Sequence, residues 1–320
     1  MKRKIKGKDG LPKKRRKIVD TLVDILKEPP NYGDIKIDSI PYDPSKWIKI
    51  PKLNKNPLWK IHQRIRLGIL GIKGIEFNGR VHSYLKSSKQ KKKAKELGYT
   101  SGLPHFSIFN QIGKCKGLHL LIRKEEKKKP LTEFKVLANL HRNSYAIAIC
   151  DNSKDGIKLV KLYMKGCHKK MKKLAFKGKM KLKDILKYKK LYNPKTKLRK
   201  KRSGEYRIHS DTPNLLIDKD KESVIDGQPQ GNLTPYYGLV GKSVGYRLNM
   251  CDLLVWKAVG KYNGFAVEIK REGQKPRKGQ DEFIEILRGL GWFVTVETNA
   301  LEIARKFGIY LSTELHYALE

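Results

Sequence analysis

Acidic side chains are scarce in this sequence. Only 31 Asp and Glu accompany 72 Lys and Arg in 320 residues, for a formal charge of +41. A chain so charged repels itself and calls for a polyanionic partner, nucleic acid first. Long apolar runs are missing too. None approaches the roughly 18 residues of a membrane-spanning helix, so no membrane partner is expected. The opening MKRKIKGKDGLPKKRRK has no apolar core and is not a secretory signal. The four cysteines, Cys115, Cys150, Cys167 and Cys251, form no C-x-x-C pair, which argues for free thiols in a reducing, intracellular compartment and against a zinc or redox centre. Arginine is sparse beside lysine, and aromatics are not interleaved with the basic runs. Both omissions favour point-charge contact with phosphates over base stacking or bidentate base reading.

What the sequence does contain is a duplication. At an offset of 147, the separation of Gly98 from Gly245, LGYTSGLPHFSIFNQIGKCKGLHLLIRKEEKK falls on VGYRLNMCDLLVWKAVGKYNGFAVEIKREGQK without a gap. The match continues to SYAIAIC over GWFVTVE. Two long segments, not many short units, indicate tandem domains. Each reads as a strand (HFSIF, DLLVW), a Gly-Lys turn and a second strand (GLHLLIRK, GFAVEIKR). An amphipathic helix, a buried strand and a last helix follow, so the fold expected is α/β, with a mixed sheet flanked by helices in each copy. The divisions expected are a basic, proline-rich arm at 1–55, a first copy at 56–166, a Lys-rich linker or basic helix at 167–204, and a second copy at 205–320. If the second copy is an enzyme, the piece from about 205 to 320 should be stable when cut out.

Chemistry concentrates in the second copy. Asp252 opens one strand of the hairpin and Glu268 lies in the other, so antiparallel pairing brings the two carboxylates close. Glu268 and Lys270, two apart, share a face. Two carboxylates suit Mg²⁺ or Mn²⁺, which bind through few carboxylates and several waters, and Lys270 could stabilise charge on a phosphodiester. The plain alternative is an exposed cross-strand ion pair worth under about 1 kcal/mol.

Asp252, then Glu268-x-Lys270, then Gln280 opening GQDEFIEILRGLG, resembles the VRR-NUC branch of the PD-(D/E)xK nuclease superfamily, over about 70 residues. The usual proline before the aspartate is Cys251 here. The resemblance implies two tandem restriction-endonuclease-like domains and a divalent-metal-dependent DNA endonuclease, often structure-selective. In it Asp252 and Glu268 ligate the metal, and Lys270 and Gln280 support catalysis. The first copy, from EFNGRVHSYLK onward, shares the framework, but His105, Leu121, Arg123 and Glu133 stand where Asp252, Glu268, Lys270 and Gln280 do. Leucine cannot bind magnesium, so this copy reads as inactive and as an aid to DNA binding. A further acid or glutamine on an upstream helix is expected by the same resemblance. The segment holding Asp218, Asp220, Glu222 and Asp226 offers none, because Gly, Pro and polar residues break any long helix there.

Basic tracts are candidate phosphate contacts: Lys13, Lys14, Arg15 and Arg16; Lys91, Lys92 and Lys93; Lys172 and Lys173; Arg199, Lys200, Lys201 and Arg202. PKKRRK also resembles a nuclear import signal. The competing reading is a non-catalytic nucleic-acid-binding component of a virion or large ribonucleoprotein assembly. A homodimer or larger assembly is open in either case.

Overall fold

Alternation of apolar side chains along short strands builds two four-stranded sheets in the computed structural model, which describes residues 47–53, 55–84, 91–92, 94, 96–123, 131–176, 181–188, 206–228 and 235–317. In the first repeat, helix α1 (Pro57–Leu70) precedes strands β1 (Phe77–Gly79), β2 (Phe106–Ile108) and β3 (Leu118–Ile122). Helix α2 (Leu131–Arg142), β4 (Ala146–Cys150) and α3 (Ser153–Met164) complete it. Within the lysine-rich stretch that follows lie two short helices, α4 (His168–Ala175) and α5 (Leu182–Leu186), whose Met171, Ala175 and Ile185 are buried. The second repeat runs α6 (Ile208–Lys219), β5 (Val224–Gly227), α7 (Pro235–Val244), β6 (Leu253–Trp256), β7 (Phe265–Ile269), α8 (Lys278–Gly289), β8 (Phe293–Glu297) and α9 (Ala300–Tyr317).

Both sheets have the same topology. Strands are ordered β1-β2-β3-β4 and β5-β6-β7-β8; the first three of each are antiparallel and the last pair is parallel. This is the mixed, helix-flanked α/β architecture expected. One face of each sheet is closed by the repeat's own first and last helices. In the second repeat Phe265, Val267 and Ile269 pack under Phe307 and Tyr310 of α9 and Leu216 of α6. In the first, Leu118, Leu120 and Ile122 pack with Ile65, Leu159 and Tyr163.

The opposite faces meet each other. Phe109 stacks on Trp256, its counterpart at the offset of the repeat, with ring centroids 5.2 Å apart. Around that pair the contacts are reciprocal: Phe109 meets Trp292 at 5.7 Å, while Tyr145, the counterpart of Trp292, meets Trp256 at 5.5 Å. Glycines repeat the pattern. A Cβ on Gly79 would lie 1.7 Å from the carbonyl oxygen of Val244, and one on Gly227 would lie 1.7 Å from that of Leu97, the counterpart of Val244. Gly98 lies against Pro213 and Gly245 against Arg66, again counterparts. The two repeats are therefore related as the halves of an isologous dimer, within one chain.

One buried ion pair crosses this junction without a counterpart. Arg80 and Asp226, both buried, are joined at 2.6 and 3.1 Å, and Arg80 also donates to the Pro104 carbonyl at 2.7 Å.

Helix α6 corrects the expectation that no helix could form ahead of the second hairpin. Pro213 lies inside it, where it removes one backbone bond. Burial of Leu216 and Ile217 and the seat of Pro213 on Gly98 offset that loss.

Two outcomes follow from the shared core. Arg80→Met should destabilise the chain by about 3–5 kcal/mol in denaturant titration, because Asp226 is left buried and unpaired, with much of the loss recovered in Arg80→Met/Asp226→Asn. The isolated piece 206–320 would bare Trp256, Phe283 and Trp292, so light scattering should find it aggregated whether or not it is an enzyme.

Candidate active site

Strand register brings the second repeat's polar residues together. Leu253 pairs with Val267 in the antiparallel ladder, so Asp252 comes to the end of β7, where its Oδ2 accepts the Ile269 N–H at 2.8 Å. Glu268 alternates with Val267 and Ile269 and so faces α8 instead of α9. It is completely buried. Its Oε1 is 2.6 Å from Lys270 Nζ and accepts from Gln280 Nε2. Its Oε2 is buried with no hydrogen-bond partner. Gln280 serves two masters: its Oε1 accepts from Lys270 Nζ at 2.8 Å and from the Arg277 N–H at 3.1 Å, the latter closing the first turn of α8 as a residue at this position does in a capping box. Asp252, Glu268, Lys270 and Gln280 thus form one constellation.

Its electrostatics are those of crowded, desolvated carboxylates. Burial, and then the neighbouring Asp252 charge, push Glu268 up to about 7 against the pull of Lys270. Burial also raises Asp252, opposed by the Ile269 N–H and by the nearby His209 and Lys270. A cation beside both carboxylates would favour their charged forms. Among the described residues no cluster of three or more His, Cys, Asp or Glu is arranged to hold a metal. A cation here would have two carboxylates and otherwise water or substrate oxygens, a set that suits Mg²⁺ or Mn²⁺. The unpartnered Oε2 of Glu268 fits that role.

The other acids weighed from the sequence lie elsewhere. Asp226 pairs with Arg80, and Asp220 accepts from Ser223 at 2.7 Å and stands 3.5 Å from Lys257. On α6, buried Asp211 accepts the Arg207 N–H at 2.8 Å and so closes its own helix. His209, exposed on the same helix, is the residue there that acts on Asp252. Nothing in the linear order singled it out.

Arg247 was also missed. Its guanidinium lies 4.6 Å from the Phe283 ring centroid and pairs with Glu76 of the first repeat, while its N–H donates to Asn78 Oδ1 at 3.0 Å. The loop leading into Asp252 is thereby moored to the first repeat. Sequence alone could not place Glu76 and Asn78 beside a residue 171 and 169 positions away.

In the first repeat the same backbone position is served by different chemistry. His105 Nδ1 accepts the Ile122 N–H at 3.1 Å, the counterpart of the Asp252 bond to Ile269. Leu121 fills the place of Glu268 with a buried apolar side chain, and Arg123 lies over the Phe134 ring at 5.3 Å. Glu133, facing Gln280 at the offset, sits in the first turn of α2. Of the basic candidates, Lys91, Lys92, Lys172 and Lys173 are exposed and helical. Lys13, Lys14, Arg15, Arg16, Lys93, Arg199, Lys200, Lys201 and Arg202 lie outside the described residues.

No family model matches the chain, and no curated protein does. Among solved structures, one described as a VRR_NUC domain protein is similar at 25% identity over 28% of this chain and 67% of that one, with a TM-score of 0.23.

Four buried histidines in the first repeat set an acid limit. Burial, with the Arg80 charge, lowers His82 to about 3 and His105 to about 4, and burial takes His62 and His119 well below their ordinary value. They are neutral when folded and protonate when unfolded below pH 6.5, so the unfolded chain binds more protons there. Stability should hold above pH 6.5 and fall as pH drops toward 4, by up to about 1.4 kcal/mol per pH unit for each histidine. Denaturant midpoints across pH 7 to 4, with His82→Gln as the flatter variant, measure this.

Proposed function

We propose that the second repeat hydrolyses phosphodiester bonds of DNA with Mg²⁺ or Mn²⁺, and that the first repeat is an inactive copy that helps to bind the nucleic acid. The observation that carries this reading is the half-buried Asp252 beside the fully buried Glu268, with Glu268 Oε2 unpartnered and Lys270 within 2.6 Å of the same carboxylate. Asp252 and Glu268 would hold the cation. When bound, the cation supplies Lewis-acid stabilisation of charge on the phosphodiester and favours an ionised water.

The protein's own residues do the rest. Glu268 must be ionised to serve as a ligand, and since burial holds its carboxyl up near 7, ligation competes with protonation below neutrality. Lys270, mostly buried yet at the open end of β7, carries a fixed positive charge to an oxygen of the scissile phosphate, where a preplaced donor costs no reorganisation. Gln280 holds the Lys270 ammonium and the Glu268 carboxylate in mutual register. Asp252, tied to the Ile269 N–H through one oxygen, is fixed in direction while its other oxygen remains for the cation. Exposed Lys91, Lys92, Lys172 and Lys173 add phosphate contacts that position the duplex without reading bases.

The plainer reading, an ion pair that steadies the sheet, is weakened by the first repeat. There Leu121 occupies the position of Glu268 in a strand of the same length and pairing. The fold is thus compatible with no charge at that point.

The full chain should cut DNA only when Mg²⁺ or Mn²⁺ is present, with a rate that rises between pH 6 and 8. Glu268→Ala and Lys270→Ala should each lower the rate at least about a hundredfold while DNA binding persists in a gel-shift assay. Undiminished cutting by either purified variant overturns the assignment. Salt-sensitive binding with no cutting under any divalent metal would favour the virion or ribonucleoprotein component instead.

A further inference from the structure

The reciprocal contacts across Phe109 and Trp256 place the two hairpins as symmetry mates. Duplex DNA has two-fold axes relating its backbones, and a protein with two-fold symmetry presents its halves to symmetry-related half-sites, so that equivalent points of the two halves face opposite strands. Here the halves differ in what they present. The second repeat offers Asp252, Glu268 and Lys270; the first offers His105, buried Leu121 and Arg123 at the same points. The first repeat's hairpin therefore has no carboxylate pair for a cation, while Arg123 retains a positive charge there.

A second copy of the chain could not readily supply the missing centre through the same surface. The face of the second repeat that a symmetric partner would cover is already covered from within, since Phe109 packs on Trp256, Phe283 and Trp292. Tyr145 also donates from the first repeat to the Asn263 carbonyl.

Resting on the hydrolytic reading above, we infer that this chain is a single-strand nicking enzyme on duplex DNA, in which the first repeat holds the opposite strand through Arg123 without cutting it. In the step, a water oxygen bonds to phosphorus and one P–O ester bond breaks. The departing oxygen takes a proton, leaving a phosphomonoester and a hydroxyl. The reactants are water and the duplex, with a divalent cation as the required ion.

The test uses the full chain on supercoiled plasmid with Mg²⁺ or Mn²⁺, sampled over time on agarose. The expected result is open-circular DNA that accumulates, linear DNA that appears only after a lag, and a nicking rate proportional to protein over about a tenfold range. Linear DNA formed without a lag, or a rate that rises as the square of protein concentration, overturns the inference, because two live centres would then be acting together. No cutting under any divalent metal overturns the hydrolytic reading itself, a result distinct from double-strand cutting. The strand-holding role is read separately: Arg123→Ala should weaken duplex binding and reduce the slope of log affinity against log salt by about one. An unchanged slope and affinity remove that role.

Discussion

The packing of Phe109 on Trp256 is the contact on which the rest of the molecule depends. Each sheet has one face closed by its repeat's first and last helices, while the other is only partly covered by its own α2 or α8 and is completed by the opposite repeat. Aromatic pairs in offset or edge geometry add about 0.5–1.5 kcal/mol each beyond the area they bury, and several of them cluster at this junction. The close glycine approaches at Gly79 and Gly227 tolerate no side chain, so the two repeats can dock in only a narrow range of poses. Arg80 and Asp226 add a constraint of another kind: a desolvated pair does little for net stability but penalises any arrangement that separates its members.

That junction also reaches the candidate site. Glu268 projects from the face of β7 that looks toward α8, and the loop entering Asp252 is held by Arg247 against Glu76 and Asn78 of the first repeat. The first repeat is thus part of the wall that supports the second. The comparison of His105 with Asp252 separates structure from chemistry at one position. Both side chains accept the N–H of the facing strand, at 3.1 and 2.8 Å, so the fold asks only for an acceptor there. The carboxylate is surplus to that requirement, as is the charge of Glu268 where Leu121 suffices.

Much of this was legible in the residues. The hairpins, the amphipathic helices α2 and α8 and the strands β4 and β8 followed from period-2 and period-3.6 patterns, and the duplication followed from the gapless match. The approach of Asp252 to Glu268 and Lys270 was also legible, because hairpin pairing is local in sequence, while Gln280, on the helix that follows, was marked only by its place in a family-like motif. Strands β1 and β5 were not, since FNG and VIDG are too short to show alternation and gain their order from neighbours. Nor was α6: its proline speaks against a helix, and burial of Leu216 and Ile217 against their own sheet and α9, with Pro213 seated on Gly98, overrides that preference.

The sequence by itself determined the repeat, the order of its main strands and helices, the excess of positive charge, and Asp252, Glu268 and Lys270 of the second hairpin with Gln280 on the helix after it, because each rests on local pattern or on side-chain identity. Tertiary structure alone decided that the repeats face each other about a pseudo-two-fold axis, that Asp226 pairs with Arg80, and that Arg247 leans on the first repeat. Those outcomes join residues far apart in the chain, and nothing in linear order tells one buried acid from another until packing decides which has a partner.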